Sequence, residues 1–215
     1  YGRALDMTHH DTTLVERLAG VVPGSPVDRA WRDRAEARRF AEDTYRRLLH
    51  PLDPGPVSLL ERRAVAAFVA VLIGERQTRD HLLALLRDTD PTLAPLARLI
   101  EREAEDSAHP GPYGSFPAGP LSAEDLDGPV YSVSWPVQHE LGLRLATALE
   151  YAHLVTLHPR DSTPEGLMAL AKAGWTNSGI ALLVDIIGFV NFQSRLVAGL
   201  RSHIAARQPH LALVG

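Results

Sequence analysis

The sequence predicts an all-α fold, a multi-helix bundle built on an internally duplicated helical unit. Three observations carry this. Apolar residues recur at helical spacing behind recognisable caps, no segment alternates in the manner of a strand, and no hairpin turn occurs. The chain has 215 residues. One domain of that size buries enough apolar surface to stand without staples.

Each element follows from local chemistry. Ser25-Pro26 followed by Asp28 combines a capping hydroxyl, a proline in the first turn and an acid at the positive end of a helix. Val27, Ala30, Trp31, Ala37, Phe40, Ala41, Tyr45, Leu48 and Leu49 then recur at helical spacing. This predicts one helix that stops before Pro51. Residues 51–56 are a proline-rich turn. Ser58 caps a second helix running to Gly74, a third covers residues 77–87, and a fourth follows Asp90-Pro91. Residues 106–136 hold six prolines and four glycines with Tyr113, Phe116, Tyr131 and Trp135 among them, which predicts a packed loop. Helix resumes over residues 138–157. Ser162-Thr163-Pro164-Glu165 opens a short helix, and Thr176 opens a long one reaching Arg207.

These elements divide the chain into an N-terminal extension, residues 1–25, and a single all-α domain, residues 26–215. Within the domain lie a first helical unit (26–105), the loop (106–136) and a second unit (137–207). Met7 reads as the natural start, with residues 1–6 as an upstream remnant.

Composition excludes several functions. There is no cysteine, so disulfides, thiol redox motifs and cysteine zinc sites are absent. The count of 22 basic against 26 acidic residues argues against nucleic acid. The arginines of residues 29–47 are interleaved with Asp28, Asp33, Glu36, Glu42 and Asp43, the pattern of a solvated, salt-bridged helix face. The most apolar runs, residues 64–74 and 180–190, are 11 residues each, short of the roughly 20 that span a membrane. Residues 1–19 carry polar side chains throughout with no apolar core segment, so no signal peptide and a cytoplasmic location are the expectation. Asp185 inside the second run calls for an ionic partner or partial exposure.

The two apolar runs also match each other. With a shift of 114, residues 64–87 align on 178–201 without a gap, and seven of 24 positions are identical. Upstream, Tyr45, Leu49, His50 and Pro51 resemble Tyr151, Leu157, His158 and Pro159. The alignment sets the stripe Gly74, Gln77, His81 against Gly188, Asn191, Arg195. An approximate two-fold axis would make the stripes equivalent, with a small-molecule pocket along the first, near Glu61 and Glu75.

The order of residues 148–152 (Ala-Leu-Glu-Tyr-Ala), Leu157, Gly174-Trp175, Phe189, Asn191-Phe192, Arg195-Leu196 and Gly199-Leu200 resembles the alkylhydroperoxidase-D-like, or carboxymuconolactone decarboxylase-like, family. The segment from Ser58 through His81 resembles that family's active-site helix pair. In the peroxidase branch this pair carries a glutamate, a Cys-x-x-Cys pair and a histidine. Placing His81 on the family histidine puts Gly74 and Gln77 at the cysteine positions and Arg62 at the glutamate, beside Glu61. A second register puts Glu75 and Thr78 at the cysteine positions. Neither supplies the thiolate that peroxide reduction requires.

The resemblance therefore implies a member of the family without thiol peroxidase activity, with a small-molecule pocket for which Gly74, Gln77, Asn191, Arg195 and Trp175 are candidates. An acid–base catalyst acting on a small carboxylic acid or lactone through Glu61, Glu75 or His81, in the manner of a decarboxylase or isomerase, is one alternative. A non-catalytic assembly partner of a true peroxidase homologue is another. No cofactor is called for. Glu150-x-x-His153 has the spacing of half a di-iron site, but the chain has no second Glu-x-x-His pair, so no metal is expected. The apolar helices and the resemblance both point to a closed homo-oligomer.

Overall fold

A computed structural model describes residues 12–207. Readings that fall on Met7, on residues 1–6 and on His9-His10 lie outside the described residues. Helix, counting 3-10 turns, makes up 72% of the described residues, and no strand occurs among them. An isolated antiparallel bridge joins Gly114 to Leu126.

The first element lies in the segment read as an extension. Helix α1, Leu14–Ala19, opens on a capping box between Thr13 and Glu16 and stops at Gly20, which takes the left-handed conformation (φ 70°). Leu14, Val15 and Ala19 are buried, and α1 packs on the last helix, so this part of residues 1–25 belongs to the core. Ser25 caps α2, Pro26–Arg32, as its sequence requires. The helix expected from Pro26 to Pro51 is two: α2 ends at Asp33 and α3, Ala35–Leu49, begins anew. With the break, Val27 and Trp31 of α2 join Val15, Ala19, Val21, Ala41 and Val197 in a small second core.

Helix α4, Leu59–Ile73, begins at a Ser58/Glu61 capping box and ends at Gly74. It is buried on every side, the mark of a central helix. Around it pack α5 (Arg76–Arg87), α6 (Ala94–Ser107), α8 (Leu143–Leu157) and α10 (Asn177–Arg207). Between α6 and α8 run the proline-rich segment, with a 3-10 turn at Pro120–Glu124, and the short α7, Trp135–Leu141. Gly142, at φ 76°, separates α7 from α8, where the sequence reading had one helix. Helix α9, Pro164–Lys172, leads into α10.

The 11-residue run at 180–190 is part of this 31-residue α10, which is long and apolar enough to cross a membrane by length and composition alone. Here one side of it is packed against α1, α3, α4, α5 and α8. Asp185 lies on the opposite, exposed side, so its charge stays in water.

The duplicated alignment meets a structural difference. Residues 64–87 bend at Gly74, where φ is 76°, and restart as α5 because the Glu75 side chain accepts from the backbone N–H groups of Gln77 and Thr78. Residues 178–201 run straight through Gly188. The stripes Gly74-Gln77-His81 and Gly188-Asn191-Arg195 are therefore not equivalent in shape. The upstream match has a different outcome. Helices α3 and α8 both have 15 residues and both end at a leucine followed by His-Pro, but Tyr45 lies four residues before Leu49 and Tyr151 six before Leu157, so the two tyrosines do not correspond.

Candidate functional site

Of the three candidate acid–base groups, two are occupied in holding the fold. Glu61 accepts from the backbone N–H and hydroxyl of Ser58 (both 2.8 Å) and pairs with Arg144. Arg144 also donates to the carbonyls of Pro56 and Gly174 and lies over the Trp175 ring, 4.1 Å from its centroid. Trp175 is buried, and its indole N–H donates to the Arg144 carbonyl. Glu61, Arg144 and Trp175 thus clamp the start of α4 to the start of α8. Glu75 caps α5. Gln77, oriented to donate to Glu75 Oε1 (3.1 Å) and accept from Arg201 Nη1 (3.1 Å), ties that cap to α10.

His81 is different. Its Nε2 lies 2.8 Å from the hydroxyl of Tyr45 on α3, and the same hydroxyl lies 2.9 Å from Nε2 of His50. Nδ1 of His50 faces Arg63 Nη2 at 3.5 Å. Arg63, on α4, is buried and further held by the carbonyls of Leu49 and Leu85 and the hydroxyl of Thr89. The chain of contacts has one polarity, assigned from the hydrogen-bond network. A guanidinium only donates, so His50 Nδ1 accepts and its proton sits on Nε2. His50 then donates to Tyr45, Tyr45 donates to His81 Nε2, and the His81 proton sits on Nδ1. No described residue accepts from that nitrogen. Burial, with the nearby Arg17 and His50, pushes the His81 pKa down. His50 is lowered by its own partial burial and by Arg63. Burial pushes the Tyr45 hydroxyl up to about 12. The phenol and both imidazoles are thus held neutral.

Tyr45, His50 and Arg63 were not site candidates in the sequence reading. The Tyr45–His50–Pro51 pattern was visible there only as a repeat. The link to His81, 36 residues away, is made by the Tyr45 side chain reaching from α3 to α5, both of which pack against α4.

A second imidazole chain closes α8. His153 Nδ1 lies 3.2 Å from His158 Nε2, His153 Nε2 lies 3.1 Å from the Ser107 carbonyl, and His158 Nδ1 lies 3.2 Å from Asp161 Oδ2. Tyr113 stacks on His158 with centroids 4.9 Å apart. This chain ends on a backbone carbonyl, so it has no ring nitrogen to offer a ligand. Glu150, the other half of the Glu-x-x-His spacing, accepts from the Val133 N–H and the Ser132 hydroxyl. No group of three His, Cys, Asp or Glu side chains suited to a metal occurs among the described residues.

The pocket candidates divide. Gly74, Asn191 and Arg195 line one open cleft of about 480 Å³ with Ile73, His109 and Thr156, whereas Gln77, Trp175, Glu61 and Glu75 do not line it. Arg195 donates there to the Asn191 backbone and side-chain oxygens. The Thr156 hydroxyl in its wall is buried without a hydrogen-bond partner.

Comparison with protein-family models, with curated proteins and with solved structures finds no significant match.

Proposed function

We propose that this chain is an alkylhydroperoxidase-D-like protein without thiol peroxidase activity, whose chemistry is proton transfer at His81 on a small anionic organic molecule. One observation carries the reading. The Tyr45 hydroxyl stands between two neutral imidazoles, and the chain it completes leaves the Nδ1–H of His81 as its unengaged end.

The steps balance. His81 delivers its Nδ1 proton to the bound molecule, and Nε2 takes the Tyr45 proton. Tyr45 takes the proton of His50 Nε2, and His50, exposed at the surface, is reprotonated by solvent. Run backwards, the same chain removes a proton. A base held neutral near pH 7 is suited to both directions. Arg17, the cation acting on His81, favours an anion, and a carboxylic acid or lactone acid is the class that fits.

The test is imidazole NMR of the full chain with a panel of small carboxylates and lactone acids, followed by deuterium exchange at the carbon next to the carboxylate. A member of the panel should shift the His81 resonances and exchange in the native chain but not in His81→Gln. A panel that leaves His81 unmoved overturns the reading. A dithiol-coupled assay with organic hydroperoxides should show no turnover above a protein-free control. Turnover there overturns the peroxidase half.

A further inference from the structure

The charges of α3 fall into two sets. On one side Arg38 pairs with Glu16 and Arg46 with Glu42. On the other, Glu36, Arg39, Asp43 and Arg47 form no ion pair among the described residues, although Arg39–Asp43 and Asp43–Arg47 have the four-residue spacing that commonly allows one. These four charges line a shallow groove of about 440 Å³ along the helix, with Phe40 among them. Phe40 is 57% exposed and meets Phe192 of α10 edge-on, centroids 5.9 Å apart. Val184 and Phe192, both partly exposed, carry the apolar strip onto the neighbouring helix.

The order of those charges decides what fits. From N- to C-terminus α3 reads acid, base, acid, base. Read backwards it is base, acid, base, acid. Two copies of α3 laid antiparallel about a two-fold axis therefore set Glu36 against Arg47 of the partner subunit and Arg39 against Asp43 of the partner subunit, each pair occurring twice. Because that axis keeps each flank of one helix beside the same flank of the other, Phe40 meets its own copy, with Phe192 behind it. Parallel copies would oppose like charges.

We infer that a second copy of this chain docks here, through an isologous interface centred on α3. The sequence led us to expect association; the unpaired, self-complementary face says where it occurs. The inference does not depend on proton transfer at His81.

Sedimentation velocity on the full chain tests it with two charge-reversed variants. Glu36→Arg/Asp43→Arg makes the face wholly basic, and Arg39→Glu/Arg47→Glu makes it wholly acidic. All four positions are exposed, and helical circular dichroism confirms that each variant is folded. The native chain should sediment as a dimer at micromolar concentration, with the dimer fraction falling as salt screens the pairs. Each variant alone should be monomeric, and an equimolar mixture should dimerise again. A monomeric native chain, a mixture that stays monomeric, or association indifferent to both reversals overturns the proposal.

Discussion

His50 and His158 close their helices in the same backbone conformation, φ −135° and ψ 45° against φ −138° and ψ 57°. In each case the ring reaches back five residues, to Tyr45 in one helix and to His153 in the other. The structure thus sets Tyr45 against His153, where the sequence comparison had set it against Tyr151. It also separates two roles for one corner. The first chain ends on an imidazole with a free N–H, the second on a carbonyl.

Tyr45→Phe removes the hydroxyl shared by His50 and His81 and keeps the ring. The loss should lower stability by about 1 kcal/mol, the net worth of a typical hydrogen bond, rising where a buried partner is left unpaired. Urea denaturation reads the loss. If the hydroxyl carries the relay, proton exchange on a responding carboxylate should fall in this variant while its binding to His81 persists.

Stability should decline as pH drops below about 6.5. His153 and His81 are held below the ordinary histidine value by burial. Above that value both folded and unfolded chains carry neutral imidazoles. Below it the unfolded chain takes up protons first, so the folded state loses ground until the depressed folded values are reached. Each group contributes at most about 1.4 kcal/mol per pH unit over that window. The fully buried His153 should contribute more than the partly buried His81. Denaturant midpoints at pH 7.5 and pH 5.5, compared with those of His153→Gln, check the sign. A midpoint that rises on acidification contradicts it.

Gly114→Ala should loosen the proline-rich segment. Gly114 has φ 107°, and a Cβ there would lie 2.7 Å from Asp161 Oδ2. Asp161 also accepts from the Ser115 N–H and contacts His158, so the clash falls on the group that fastens the segment to the end of α8. A strained residue of this kind costs about 1–3 kcal/mol. Thermal denaturation with limited proteolysis should show a lower midpoint and faster cleavage within residues 108–134.

Arg144→Ala should destabilise the fold without touching the chemistry. It deprives Glu61 of its ion pair and Trp175 of its cation, and leaves the carbonyls of Pro56 and Gly174 without that donor. The expected loss is about 1–3 kcal/mol. Ligand-induced shifts at His81 should remain. Their disappearance would return Glu61 to the list of acid–base groups.

The sequence by itself determined the helices and most of their ends, because caps are local. Ser25, Ser58 and Gly74 act on backbone within a turn of themselves, and their chemistry is readable from neighbours alone. It also excluded thiol chemistry through composition. The break at Asp33 was decided by tertiary packing, which turned α2 into the second core, whereas the break at Gly142, at φ 76°, is a local stop at a positive-φ glycine, as at Gly74. The site was decided by tertiary packing too. Glu61 and Glu75 have the residue type of catalytic acids and the positions of helix caps, and only their partners tell which role each fills. The bridge from Arg63 through His50 and Tyr45 to His81 joins three helices and the corner after α3. A hydrogen bond forms between atoms that meet in space, and no spacing along the chain encodes that meeting.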